Sequence, residues 1–452
     1  MTIRPSSLSS SPLLACAALA ASATANPAPL TDEILLSGFS SASVDRYDGG
    51  DGSVLGELGP GDLLGVLGSA IGLDGRIYVC SEGNDRIVRF DAATGDFVDN
   101  FIIDDPATPA DETGGLNGPS AIVFGRDGFA YVASFNTDSI LRYDGETGAF
   151  DRVFVTTTPG NLNGPDAGMV FGPDGNLYVP SYFTDRIKRY DGVTGDFIGN
   201  FVGPAWANLD RPRAVIFPGD GFAYVASERN DMVLRVDEAT GQTTVEELIV
   251  DDPATPADET GGLDGPTGLA FGPDGLLYVA SIQNNSVLRY EPDGTFVDVF
   301  ISSGLGGVQL PTFMAFRPDA LNTCTGAPNS TGRSAHMGAL GFTSISADDF
   351  TLTATSVPPD VSGLFFYGNQ QLAIPFGDGI RCVGGSTFRL RVTQASSQGW
   401  ASHAVDFAQP PRPAGQIQAG STWYFQFWYR DPSGPQGSGF NTSDALEVQF
   451  DG

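Results

Sequence analysis

Histidine is almost missing from this 452-residue chain; His336 and His403 are its only two. Both fall after residue 320, so the larger N-terminal part has no Ser-His-Asp triad, no histidine base and no imidazole ligand for a metal. Neither histidine has neighbours at a metal-ligand spacing, and both read as ordinary residues. Basic charge is scarce too. Lys and Arg number 23 against 54 Asp and Glu, for a formal net charge of −31. That sign excludes nucleic acid as a partner and disfavours an anionic membrane surface. It suits either plain solubility in a salty exterior or the binding of divalent cations. Long apolar runs are lacking apart from residues 13–21, which are too few to span a bilayer. With Arg4 before them and Ala23-Thr24-Ala25 after, they read as a signal peptide, residues 1–25, cleaved near Ala25. The expectation is an exported protein, extracellular, cell-surface or periplasmic, with no membrane span. Cysteine is rare as well. Cys16 leaves with the signal, Cys80 lies inside an apolar strand, and Cys324 and Cys382 share the C-terminal region. In an oxidising compartment that last pair is expected to be a disulfide.

Repetition, by contrast, is abundant. "GRIYVCS", "GFAYVAS", "GNLYVPS", "GFAYVAS" and "GLLYVAS" set tyrosines at 78, 131, 178, 224 and 278, at intervals of 53, 47, 46 and 54 residues. An apolar run such as "SAIVFG" precedes each, an Arg-containing strand such as Arg142-Tyr143-Asp144 follows, and a fourth short strand ends the unit. Asp-Gly pairs turn the chain between the first two strands, and Thr-Gly steps between the last two. Four antiparallel strands per period near 47 residues describe a β-propeller blade. Five units are complete. Residues 33–58 offer a second, third and fourth strand without a first, and residues 311–317 a first without successors. Joining them gives a closed ring of six blades and removes the open sheet edges. The fold class is therefore all-β: a six-bladed β-propeller over residues 26–320, a linker at 321–340, and a small antiparallel β-sandwich over 341–452.

"LNGPSAIVFGRDGFAYVASFNTDSILRYD" (116–144) resembles an NHL repeat, and the set is similar to the NHL and SMP-30/gluconolactonase-like propellers. It departs from that pattern where the second strand ends: Ser81, Ser134, Ser181, Ser227 and Ser281 stand where Asp is usual. The resemblance implies a scaffold shared by binding proteins, lactonases and lyases. In gluconolactonase-like enzymes a divalent cation sits in the channel mouth on Glu, Asn and Asp. Alignment of the first strands places Leu67, Ser120, Ala167, Arg213, Thr267 and Thr312 at equivalent mouth positions, which is no ring of carboxylates. Asp166, Arg211 and Arg213 are the candidate ligand-binding residues there. The C-terminal segments "PNSTG", "LFFYG", "PFGDGIRCVGG", "STWYFQFWYRDP" and "FNTSDALEVQF" resemble a domain attached to varied exported bacterial proteins. In the run 423–430, Trp423, Phe425, Phe427 and Tyr429 share a face that suits a core. Tyr424, Gln426, Trp428 and Arg430 share the other, which suits either a sugar platform or further packing.

One acidic loop is written twice, "DDPATPADETGG" at 104–115 and at 251–262. Loops after the second strand share a face of the ring with loops between blades. Glu82 with Asp104, Asp105, Asp111 and Glu112 is thus expected on one side of that face. Glu228 with Asp251, Asp252, Asp258 and Glu259 is expected opposite, three blades on. The two sets are candidate Ca²⁺ sites, although they lack the D-x-D-x-D-G spacing of an EF-hand; a duplicated loop without a metal is the plainer reading. No cofactor is certain, and Ca²⁺ is the one that the residues suggest. The functional expectation is a non-enzymatic scaffold that binds a protein, glycan or small ligand across its loop-rich face. The alternative is a divalent-cation-dependent lactonase or lyase acting in the central channel.

Overall fold

A computed structural model describes residues 33–72, 74–104, 111–203, 208–241, 246–250, 258–317, 320–341, 343–345 and 350–450. The signal-peptide segment, Asp105, Asp251 and Asp252 lie outside them. Six four-stranded antiparallel sheets form the blades of the propeller. Blades 1 to 5 begin at Val66, Pro119, Val170, Pro212 and Pro266. Blade 6 takes Pro311–Arg317 as its inner strand and Glu33–Gly38, Ser43–Asp48 and Val54–Glu57 as the other three. Ring closure is thus the pairing of Glu33–Gly38 with Pro311–Arg317.

Each tyrosine of the repeat does two jobs. Tyr78 packs edge-to-face against Phe101 of its own blade and Phe124 of the next, both at 4.8 Å, so one ring joins two sheets. Its hydroxyl donates to Asp74 in the Asp-Gly turn at 3.2 Å, and Tyr131, Tyr178, Tyr224 and Tyr278 repeat the bond to Asp127, Asp174, Asp220 and Asp274. The serines that replace the expected aspartates also have a reason. Ser134 Oγ accepts the Asn117 N–H and donates to the Asn117 carbonyl, both at 3.0 Å, latching the loop that leads into its own blade. Ser81, Ser181, Ser227 and Ser281 do the same with Leu64, Asn163, Asp210 and Asp264.

After residue 320 a five-stranded sheet faces a three-stranded one. The expected linker at 321–340 needs correction. Ala320–Thr323 pairs with the last strand, and His336–Leu340 is an edge of the three-stranded sheet, so the sandwich follows the propeller directly. The pattern there was too short and too rich in turn residues to read as strand. Cys324 and Cys382 form a disulfide with Cα atoms 6.2 Å apart, and Cys80 is a buried free thiol. Trp423, Phe425, Phe427 and Tyr429 are core residues. The opposite face is no open platform: Gln426 is buried and bonded to the backbone of Cys382, Ile380 and Ser443, with Tyr424 and Trp428 packed beside Cys382.

The sandwich docks on the hairpin-turn side of blade 2. Arg333 donates to the Gly128 carbonyl (2.9 Å) and Asp144 (2.6 Å), and lies over the Phe129 ring. His336 bridges the domains, with Nε2 3.5 Å from Glu146 of the propeller and Nδ1 3.2 Å from Asp444 of the sandwich. Burial alone would lower the imidazolium pKa, but hydrogen bonds to Asp444 and Glu146 outweigh it and hold it at about 10.

Two outcomes follow from these contacts. Glu33 is 3 % exposed and clamped between Arg46 and Arg317, which come from the two ends of the propeller chain. Glu33→Ala is expected to cost about 3 kcal/mol of propeller stability in urea denaturation, because it leaves two arginines facing each other. For His336 the folded pKa lies above the unfolded value, so its contribution is complete below about pH 6.5 and is lost as pH rises toward 10. The sandwich transition in wild-type melts should fall across that window, and His336→Asn should flatten the slope.

Candidate functional site

The second strands of blades 1 to 4 each end in a serine followed by a single 3₁₀ turn. The turn closes on a left-handed aspartate, Asp85, Asp138, Asp185 or Asp231, at φ 52–54°; Asn285 takes the position in blade 5 at 55°. Asp and Asn tolerate this conformation better than other residues with a Cβ. Each side chain then accepts an N–H from the loop leading into the next blade: Gly118, Gly164, Arg211, Gly265 and Leu310, at 2.7–3.0 Å. With the serine latch at one end and this bond at the other, the residue after each serine is fixed at the mouth of the ring. Those residues are Glu82, Phe135, Tyr182, Glu228 and Ile282, with Phe39 following Gly38 in blade 6.

Below them the inner strands of neighbouring blades are tied together. Ser120 Oγ donates to the Pro165 carbonyl (2.6 Å), Thr267 Oγ1 to Pro311 (2.8 Å), and Thr312 Oγ1 to Val66 and Leu67 (3.0 Å each). A Cβ at Gly68, Gly168 or Gly268 would meet the neighbouring blade at 2.6, 2.3 or 2.8 Å, so these inner strands touch backbone to backbone.

Arg213 is its centre. It bonds Glu228 through Nε and Asp166 at 2.9 Å, and its guanidinium lies over the Tyr182 ring at 4.6 Å. Burial works against the arginine's charge, but Asp166 and Glu228 outweigh it and keep the group cationic. Asp166 is fully buried and also accepts the Ala167 N–H. Glu82 reaches the same cluster from blade 1. Burial first, then the Asp166 charge, raises its pKa against the pull of Arg213. Arg211 donates to the Tyr182 hydroxyl at 2.9 Å and forms no carboxylate pair among the described residues. Phe183, 56 % exposed, packs against Phe135 (5.6 Å) and Tyr182 (5.0 Å) to make an aromatic rim.

The structure therefore gathers Asp166, Arg211, Arg213, Glu82 and Glu228. Glu82 and Glu228 stand in blades 1 and 4, three blades apart as expected, and both lie near the Asp166–Arg213 pair. Asp111 Oδ1 is taken up by Thr113, accepting its N–H and hydroxyl at 2.8 and 2.6 Å, and Asp258 repeats this with Thr260. The carbonyls of Thr113 and Thr260 in turn accept the buried hydroxyls of Tyr143 and Tyr290. Asp104 receives the Glu112 N–H at 3.3 Å, while Asp104, Asp111, Glu112, Asp258 and Glu259 are exposed. A glycine in each copy, Gly114 or Gly261, sits against Phe150 or Phe296 of an outermost strand. The described part of each duplicated loop is thus a turn docked on a buried tyrosine. Among the described residues no three His, Cys, Asp or Glu side chains converge as a metal site. Phe135, Tyr182, Phe183 and Ile282 were missed in the sequence; the signal was available in the residues after each serine.

No family model matches the sequence, and no curated protein matches it. Among solved structures the chain is similar to one titled for a nidogen/laminin complex (16 % identity over 63 % of this chain and 98 % of that one, TM-score 0.48). It is also similar to a protein of unknown function from Bacteroides caccae (14 %, 64 % and 99 %, 0.47) and to a streptogramin B lyase (15 %, 64 % and 88 %, 0.44).

The tyrosine anchoring of the loops has its own test. Tyr143→Phe should leave the blade intact but cost about 1 kcal/mol by removing one buried hydrogen bond. Limited proteolysis should then cut first within residues 104–115.

Proposed function

We propose that the chain is an exported binding protein whose propeller mouth takes a ligand that joins an anionic group to an aromatic or apolar face. The observation that carries this reading is Arg211, which lies over the Tyr182 ring that also packs against the exposed Phe183, and which has no carboxylate ion pair among the described residues. In a chain of net charge −31, a half-buried arginine without a carboxylate ion pair among the described residues is a specific feature. Arginine and aromatic side chains together supply most of the affinity at protein recognition sites. A cavity of about 730 Å³ does exist, but it lies at the other end of the channel, between Ala70, Phe171 and Phe316 of the blades and Met337 and Trp400 of the sandwich. It contains none of the mouth residues.

The second reading is a lyase or lactonase, and Glu82 is what favours it. A part-buried carboxyl whose pKa burial raises above the ordinary carboxylate range is the kind of group that general acid–base catalysis uses. Its metal-dependent form would need oxygens beyond those seen here, because Arg213 already supplies the cation that Asp166 and Glu228 hold.

Calorimetry with N-acetyl-phenylalanine, phenylacetate and a short Asp/Glu-Phe peptide separates the readings. Binding that weakens roughly ten-fold or more in Arg211→Ala, and also in Phe183→Ala, is the expected result. Absence of binding, with turnover of a lactone panel that stops in Glu82→Gln, would replace this proposal with the enzyme.

A further inference from the structure

The inner strands of the blades end in apolar residues that are only half-buried, although they stand around the axis of the ring. Ile71, Phe124, Phe171, Phe217 and Phe316, from five of the six blades, line the cavity of about 730 Å³ beneath the sandwich. The four rings are not free to collapse into it. Each is held edge-to-face by the repeat tyrosine of the preceding blade: Phe124 by Tyr78, Phe171 by Tyr131, Phe217 by Tyr178 and Phe316 by Tyr278, at 4.7–5.1 Å. The sandwich supplies the other wall with Met337 and Leu340 of its edge strand and with Trp400. Arg333 and His336 fix its distance from blade 2, so this wall is held in place as well. A preformed, mostly apolar cavity of this size between two domains is the form that small-molecule sites usually take.

One edge of the cavity is polar and carries a cation. Arg126, in the turn between the first two strands of blade 2, lays its guanidinium 4.3 Å over the Trp400 ring and forms no ion pair among the described residues. The adjacent Asp127 also lines the cavity but is engaged elsewhere. Its Oδ2 accepts the Tyr131 hydroxyl at 2.8 Å and stands 3.5 Å from Arg142, and its Oδ1 accepts the Phe129 N–H at 3.2 Å. Gln398 lines the cavity from the same turn as Trp400. That turn is held by Ser396, whose Oγ accepts the N–H groups of Gln398 and Trp400 at 3.2 Å each. The side-chain amide of Gln398 has no hydrogen-bond partner among the described residues. Two unused donors, a guanidinium and an amide, therefore border an apolar chamber in a chain of net charge −31. Donors of this kind suit a carboxylate, and the chamber behind them suits an apolar body.

We infer that this cavity binds a small amphiphile of the fatty-acid class, with its carboxylate on Arg126 and Gln398 and its apolar body against the four phenylalanines. The site shares no residue with the propeller mouth and does not rest on the function proposed for it. Its walls come from both domains, so an occupant ties the sandwich to the ring.

Titration of the full chain with cis-parinarate, a fatty acid that fluoresces on leaving water, tests this. Saturable emission at one site per chain, displaced by laurate, is the expected result. Dodecanol has the same apolar body without the charge. It should displace the probe roughly ten-fold less well than laurate, as the loss of a charge-assisted hydrogen bond implies. Arg126→Gln should erase that preference by weakening laurate alone, with far-UV circular dichroism confirming the fold. Gln398→Ala should weaken laurate by a smaller factor, and Arg211→Ala should bind it as the wild type does. No emission with the wild type, or equal displacement by laurate and dodecanol, would overturn the site without any variant. A laurate preference that survives in Arg126→Gln would do the same. Laurate binding lost in Arg211→Ala but kept in Arg126→Gln would place the ligand at the mouth and overturn it equally.

Discussion

Five left-handed residues hold this ring together. Asp85, Asp138, Asp185, Asp231 and Asn285 each put a side-chain oxygen on an amide of the following blade. The bond is short-range, but it sets the pitch from sheet to sheet. It also ends a turn whose other end the serine latch has fixed. Everything at the mouth is a consequence of those two anchors, since the residue between them has nowhere to go but the axis. Function in this scaffold is therefore written at one position per blade. The aromatic rim, the two glutamates and the cluster around Arg213 are choices made there and on the strand beside it.

Arg213 shows how such a mouth can be built without an ion. Three carboxyl groups near one axis would repel each other strongly in a site this dry. A guanidinium between Asp166 and Glu228 removes most of that repulsion while tying blade 3 to blade 4. Parallel backbone contact between Gly168 and Ala214 draws the same two blades together underneath. The electrostatics and the packing of this sector thus support each other, and the polar centre is also the place where two inner strands come closest.

The fold was legible because a propeller repeats its chemistry. A tyrosine, an Asp-Gly turn and an arginine recurring every 46 to 54 residues leave little choice of architecture, and the split sixth blade followed from counting strands. The mouth was legible only in part. Asp166, Arg211 and Arg213 stood out as charges among neutral positions, whereas Tyr182 and Phe135 looked like two more aromatics in a chain rich in them. The inward turn of Glu82 toward Asp166 is a property of ring diameter, which no local pattern encodes. The acidic loops are the opposite case. Their carboxylates are conspicuous in the sequence, yet Asp111 and Asp258 serve their own turns. The sandwich hid its first strands, Ala320–Thr323 and His336–Leu340, because each is four or five residues long and flanked by turn residues.

The sixth junction is unlike the others. Ala42 takes up the left-handed conformation there, at φ 54°, and has no oxygen to offer. The blade that lacks this bond is also the one assembled from both ends of the ring, with Glu33 and Arg317 meeting across 284 residues. On a ribosome its three outer strands emerge first and wait for an inner strand that is made last. Until then they present an unpaired edge, which any neighbouring chain at the same stage can also satisfy. A strand exchanged in that interval would give a linked pair of rings, each complete and each holding the other's first hairpin. Monomeric assembly of this protein is thus a race between synthesis and encounter, decided by the local concentration of nascent chains.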